Sequence, residues 1–422
     1  MEIINLKKVD QTLYVETLEN GLTIYMLPNN KVSTYYLNFV CKYGSVDTEF
    51  KIGKKEYKVS DGIAHFLEHV NFQISDDVSA EELFKKYGSY INAYTSYDQT
   101  VYEVDGSNNI KKNLNLLLDY VQNDYFTEKT IAKEKGIIIE EVRRDKNDIN
   151  GRIYLEGKKA LFIRNKKDRM IVGEEEDVRG ISLDEVKLVH KVFYNPSNMF
   201  LVVTGNFKVK DVIETVRSNQ NNKRFEKYNV KRIHHKEPLE VEKSLVEIVD
   251  NRVEIPKAII SYKIDREKFK DIEDIELNYY LSLILKCNFS ASSLLYEELK
   301  EKNMISIMHS SADIDDNIIV ISIYIISDKV REVINIVKNK IKNMTMNESD
   351  FVRNRRASIA NLIYGYDDME YTTSRIIKQL ISYGKIYDNL YDIYNGININ
   401  KANEIMNKLN FDNESTVILE KQ

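Results

Sequence analysis

Residues 61–72 read DGIAHFLEHVNF. Two of the chain's six histidines, His65 and His69, stand four apart here, with Glu68 between them in an apolar run. On a helix of 3.6 residues per turn all three project from one face. Two imidazoles at i and i+4 can share one tetrahedral metal, and the carboxylate beside them is free to handle a proton. Ile63, Ala64, Phe66 and Leu67 supply a dry setting. Packing alone gives no reason for this cluster, so the stretch reads as a metal site on a helix.

A catalytic zinc needs a third protein ligand and an open position for water. The segment KEKGIIIEEVRRD (133–145) offers Glu134, Glu140 and Glu141. Glu134 and Glu141 are two helical turns apart and share a face, with the run Ile137–Ile139 expected to anchor the helix in the core. Glu140 points about 100 degrees from Glu141, so geometry admits one of them as ligand and hardly both.

The rest of the chain bounds what such a site can serve. At 422 residues it exceeds one ordinary core and implies two domains of about 200 residues. A net charge of -5 argues against nucleic-acid binding, which needs an excess of Lys and Arg. No apolar run reaches the roughly 18 residues of a membrane span, and the N-terminus lacks the pattern of a signal peptide. Cys41 and Cys287 sit in apolar contexts, as two thiols of a reducing compartment do. These features predict a cytoplasmic protein.

LTIYML and YYLNFVCKYG read as strands, and SAEELFKKYG as a helix with a capping box at Ser79 and Glu82. SYINAYTSYDQTVYEV reads as a strand pair, followed by a helix in NIKKNLNLLLDYVQN and a second helix capped by Thr127. The polar stretch 218–242 reads as a linker. After it the element order repeats, with KVREVINIVKNKIKNM in place of the first of those helices and TMNESDFVRNRRASIANLIYGYDD in place of the second. The expected class is α+β: two homologous α/β sandwich domains, residues 1–217 and 243–422, with mixed or antiparallel sheets and helices on one face.

The motif HFLEH is an inverted zinc motif, His-x-x-Glu-His. With LENGLTIYMLPN, KYGSVDTEF, KKYGSYINAYTSYDQTVYEV, EKGIIIEEVRRD and FYNPSNMFLVVTGNF, it resembles the N-terminal domain of the M16 (pitrilysin and insulinase) metallopeptidases, in family order. SSLLYEELKEKNMIS carries a weaker likeness in the second half. The length and single zinc domain look like the M16B subfamily. Within it the chain resembles the zinc-bearing subunits of Gram-positive bacterial pairs, some of which mature ribosomally made peptides. The resemblance implies one zinc ion held by His65, His69 and Glu141, with Glu68 as general base and Glu134 supporting catalysis. It puts Asn92, Ala93 and Tyr94 on an edge strand where peptide is laid out as an added strand. Zinc would lower the pKa of water from about 15.7 to about 7, and Glu68 would take the proton and deliver it to the leaving amine.

The family places an Arg and a Tyr, seven apart, on the second domain, both reaching the substrate carbonyl. Here Lys300 and Ile307 stand at those positions. A lysine is a point charge without the guanidinium fork, and isoleucine donates nothing. The departure implies an M16-like partner subunit that supplies both groups. The alternative is a homodimer using His309 or Tyr296. Two further readings are a non-catalytic scaffold, which the intact motif disfavours, and a zinc hydrolase of small amides, which the edge strand disfavours. His234 and His235, in the linker, read as solvated, and His190 as a packing residue.

Overall fold

Alternating apolar residues in short β-rich runs build two main sheets, and the amphipathic helices between them each bury one stripe. The structure, a computed structural model, describes residues 1–421. It divides into two compact units, one of residues 1–143, 170–234 and 363–389, the other of residues 144–169, 235–362 and 390–422.

The first unit holds a seven-stranded sheet in the order Glu2–Leu6, Gln11–Thr17, Thr23–Pro28, Met199–Gly205, Tyr35–Cys41, Thr100–Gly106, Tyr90–Thr95. Only the pair Met199–Gly205 with Thr23–Pro28 is parallel. Leu37, Phe39, Tyr102, Val104 and Leu201 point to the helix-covered face and pack with Phe66, Leu67, Leu117 and Ile138 in one core. Residues one position along each strand, such as Asn38 and Glu103, therefore face the other way.

The second unit holds a five-stranded sheet in the order Leu245–Val249, Glu414–Glu420, Lys257–Asp265, Ile318–Ile326, Ile307–Asp315. Leu281, Ile284, Ile321, Ile323 and Val337 form its core. The repeat is visible in the element order. In each unit a central strand leads through two helices to a hairpin that ends the sheet, then to two more helices.

The expected boundaries at 217 and 243 do not match the edges of these units. Helix Ile149–Leu161, in the expected first domain, packs Ile153 and Ala160 against Ile259, Val417 and Leu419 of the second sheet. Helix Met369–Tyr383, in the expected second domain, lies on the first sheet, where the Thr373 and Thr204 hydroxyls meet at 2.6 Å. Each helix covers the sheet built by the other half of the sequence, on the face that half's own helices leave open. The expected linker is not structureless either, since Val230–Arg232 pairs with Phe50–Ile52.

Candidate metal centre

The motif helix runs from Ile63 to Asn71. It starts from Gly62, which adopts φ 81°, and a Cβ there would lie 2.4 Å from the Val172 carbonyl oxygen. Only glycine fits this entry, and it fixes the helix against the loop that carries Val172. Ala64, Leu67 and Val70 are buried in the core, and His65 and Glu68 are drawn under cover with them, while His69 is half-buried.

The facing helix, Glu128–Asn147, is capped by Thr127, whose Oγ1 accepts a 3.1 Å bond from the Thr130 N–H. Ile138, Ile139 and Val142 anchor it, but Ile137 is 47% exposed. The expectation that all of 137–139 are core is corrected here, because three successive residues at 100-degree steps span too much of the helix circumference. The same arithmetic separates the two glutamates. Glu140 points to solvent and pairs with Arg143 at 2.6 Å, while Glu141 turns towards the motif helix.

Glu141 Oε2 lies 3.5 Å from His69 Nε2 and 3.8 Å from His65 Nε2. Among the described residues His65, His69 and Glu141 form the one group of three that bring ligand atoms within 4.8 Å of one another. Tetrahedral zinc with bonds of about 2.1 Å spaces its ligands by roughly 3.4 Å, so the observed separations admit the ion with little movement. Two imidazoles and a carboxylate are also a known ligand set of catalytic zinc. The residues fit the metal.

Burial, aided by neighbouring His69, holds His65 down to about 3, so it is neutral at pH 7 as a ligand must be. Burial also disfavours charge on His69, but the carboxylates of Glu134, Glu68 and Glu141 outweigh it and raise its pKa. Glu134 Oε2 sits 3.6 Å from His69 Nδ1, the nitrogen turned away from Glu141. This carboxylate–imidazole pairing sets the ring's orientation. His65 Nδ1 is buried with no hydrogen-bond partner among the described residues, so His65 lacks a matching support there.

Glu68 Oε2 accepts a 2.6 Å hydrogen bond from Thr95 Oγ1. Burial raises the Glu68 pKa, and the Thr95 bond and His69 act against that rise. Sequence reasoning passed over Thr95, because a threonine in a β-rich run reads as an ordinary strand former. It ends the strand Tyr90–Thr95, which among the described residues pairs only with Thr100–Gly106 and forms the edge of the sheet. Asn92, Ala93 and Tyr94 lie in the middle of this open edge. Its outer backbone groups are available to another strand.

The remaining histidines stand apart from this centre. His190 is buried, with Nε2 3.1 Å from the Val121 carbonyl and its ring stacked on Tyr194. His234, expected to be solvated, lies 3.1 Å from the Asp47 carboxylate, which also pairs with Arg232 at 2.9 Å. In the second unit Lys300 donates to the Ser306 carbonyl at 2.8 Å, and Ile307 is 45% exposed at the start of the edge strand Ile307–Asp315. His309, exposed on the same strand, has its ring 4.9 Å from that of Tyr324. No helix among the described residues is long and apolar enough to cross a membrane.

Comparison with known proteins agrees with this geometry. Residues 53–154 match the model of insulinase, peptidase family M16, and residues 180–358 match that of the peptidase M16 inactive domain. A zinc protease of Bacillus subtilis, YmfH, is 36% identical over 306 residues, spanning 72% of this chain and 71% of its own. A zinc protease of Rickettsia felis is 24% identical over 94% of each chain. The crystal structure of an M16-like peptidase from Alicyclobacillus acidocaldarius shares the fold with a TM-score of 0.92, over 99% of this chain and 100% of that one, at 22% identity.

Proposed function

The chain belongs to peptidase family M16 and is a zinc metallopeptidase; on that premise we propose that it is an M16B endopeptidase cleaving unfolded peptides, and the catalytic subunit of a heterodimer that processes a peptide precursor. The observation that carries this reading is the meeting of His65, His69 and Glu141 beside Glu68, at the end of an open edge strand.

His65, His69 and Glu141 would hold the zinc. When bound, zinc lowers the pKa of water from about 15.7 to about 7 and polarises the scissile carbonyl. The chain's own residues do the rest. Peptide adds to the strand Tyr90–Thr95 along Asn92, Ala93 and Tyr94, which fixes its backbone before reaction. Glu68, held through Oε2 by Thr95, keeps its other oxygen for the proton of the attacking water and passes that proton to the leaving amine. Glu134 orients the His69 ring.

Two residues favour a second subunit. Lys300 is engaged with the Ser306 carbonyl, and Ile307 has no donor, so neither offers the forked and phenolic donors that the family brings to the substrate carbonyl. An M16-like partner carrying that Arg and Tyr would complete the site. Two free cysteines, Cys41 and Cys287, favour a cytoplasmic setting.

The test is hydrolysis of an unstructured peptide by the zinc-loaded chain, alone and with an M16-like partner encoded beside it. Activity only with the partner supports the heterodimer. Full activity of the lone chain overturns it and favours a homodimer using His309 or Tyr296.

A further inference from the structure

Besides the bond from Thr95 to Glu68, a second side-chain bond ties the motif helix to the hairpin that carries Thr95, and the chemistry above does not use it. It lies one helical turn further on, at Asn71, three residues past Glu68 and so on nearly the same face. Asn71 Nδ2 donates a 2.7 Å hydrogen bond to the Tyr102 hydroxyl, on the strand Thr100–Gly106. Thr100 pairs with Thr95 across the hairpin, and Tyr102, two residues along, shares its face. The two ties are thus held by one piece of sheet.

Behind Asn71 the contacts close into a ring. The Tyr102 and Tyr194 hydroxyl oxygens lie 2.8 Å apart, Tyr194 hydrogen-bonds the Thr100 side chain, and Thr100 Oγ1 lies 3.5 Å from Thr95 Oγ1. An amide N–H only donates, so Tyr102 accepts from Asn71 and its own proton points to Tyr194. Burial raises both phenols well above the usual tyrosine range, so they stay protonated. The protons run one way, through Tyr194 to Thr100, which donates to the Tyr43 carbonyl at 3.0 Å. Thr95 is left with Glu68 as its acceptor. Packing alone does not call for this arrangement. Asn71 is buried, and its Oδ1 has no hydrogen-bond partner among the described residues. A leucine would fill the space without stranding an acceptor.

We propose that Asn71, Tyr102 and Tyr194 are positioning residues for Glu68, which rests on the general-base reading above. A single tie at Glu68 lets the motif helix roll about its axis. Two ties, a turn apart on one face, fix its rotation against the hairpin. With the rotation fixed and the Thr95 proton committed, Glu68 Oε2 is held and its other oxygen keeps one direction towards the attacking water. A displacement of about 1 Å in such a group costs on the order of 100-fold in rate.

The test compares full-length, zinc-loaded chains, each with any partner subunit that activity requires, in steady-state hydrolysis of an unstructured peptide. Tyr102→Phe and Tyr194→Phe keep the rings and remove one hydroxyl each. Each should lower kcat about tenfold while KM and zinc content hold. In a Thr95→Val background, where Glu68 is already untied, neither should lower kcat further. Asn71→Leu should lower kcat by a similar factor without lowering the melting temperature, since it removes the stranded acceptor. A packing role would not split rate from stability in this way. Undiminished kcat in both Phe variants, an equal loss with and without the Thr95 hydroxyl, or a loss that follows falling zinc content overturns the proposal and leaves the general-base reading standing. If Glu68→Gln is as active as wild type, that reading fails and the proposal falls with it.

Discussion

Thr95 Oγ1 donates a 2.6 Å hydrogen bond to Glu68 Oε2, tying the last residue of the edge strand to the carboxylate between the two motif histidines. The strand that would carry the peptide and the group that would move the proton are thus held in one geometry. Thr95→Val keeps the shape and removes the donor. It should lower kcat about 10- to 100-fold with zinc content unchanged and KM little affected. Thr95→Ser, which restores the hydroxyl, should recover most of the loss. Equal rates in wild type and Thr95→Val would make the bond merely structural.

The two adjacent glutamates on the facing helix should behave oppositely. Glu141→Gln removes the carboxylate that both imidazoles face and should strip zinc from the chain at micromolar metal. Glu140→Gln breaks only an exposed pair with Arg143 and should change stability by less than about 0.5 kcal/mol, with zinc retained. Metal analysis after dialysis decides between them.

The entry to the motif helix is equally exacting. At Gly62, φ 81° and a Cβ position 2.4 Å from the Val172 carbonyl leave no room for a side chain. Gly62→Ala should cost about 2–4 kcal/mol and weaken zinc retention, because the helix carrying His65 and His69 must shift. A thermal melt within a degree of wild type would contradict this.

Much of this centre was legible from residue spacing. The i, i+4 histidines with Glu68 between them need only one helix, and the helix is there. Helical geometry admitted Glu140 or Glu141 but hardly both, and it was the family resemblance, not the spacing, that named Glu141. Thr95 was not legible, because its role depends on a contact 27 residues away that no local pattern encodes. Nor were the unit boundaries. Helices Ile149–Leu161 and Met369–Tyr383 have ordinary amphipathic patterns, and such a pattern says that a face is buried but not against which sheet. Ile137 shows the converse error, since an apolar run on a helix cannot bury every member.

Acid should destabilise the chain through His190. Burial holds its folded pKa down to about 4 despite its bond to the Val121 carbonyl, against about 6.5 when unfolded. Between those values the unfolded chain binds a proton that the folded chain refuses, so stability rises with pH across that window. It is lost as pH falls from about 6.5 to about 4, by roughly 3 kcal/mol. Metal-free His190→Gln should show a flatter dependence than metal-free wild type in denaturant titrations across that range. Parallel curves would mean that His190 does not titrate this way.

The most direct test of the centre itself is peptide hydrolysis by wild type and Glu68→Gln at equal, measured zinc content, each with any partner subunit that activity requires. The account predicts about one zinc per chain in both proteins and a fall in kcat of at least about 100-fold in Glu68→Gln. Equal activity in the two proteins, or a wild type that takes up no zinc, would contradict it.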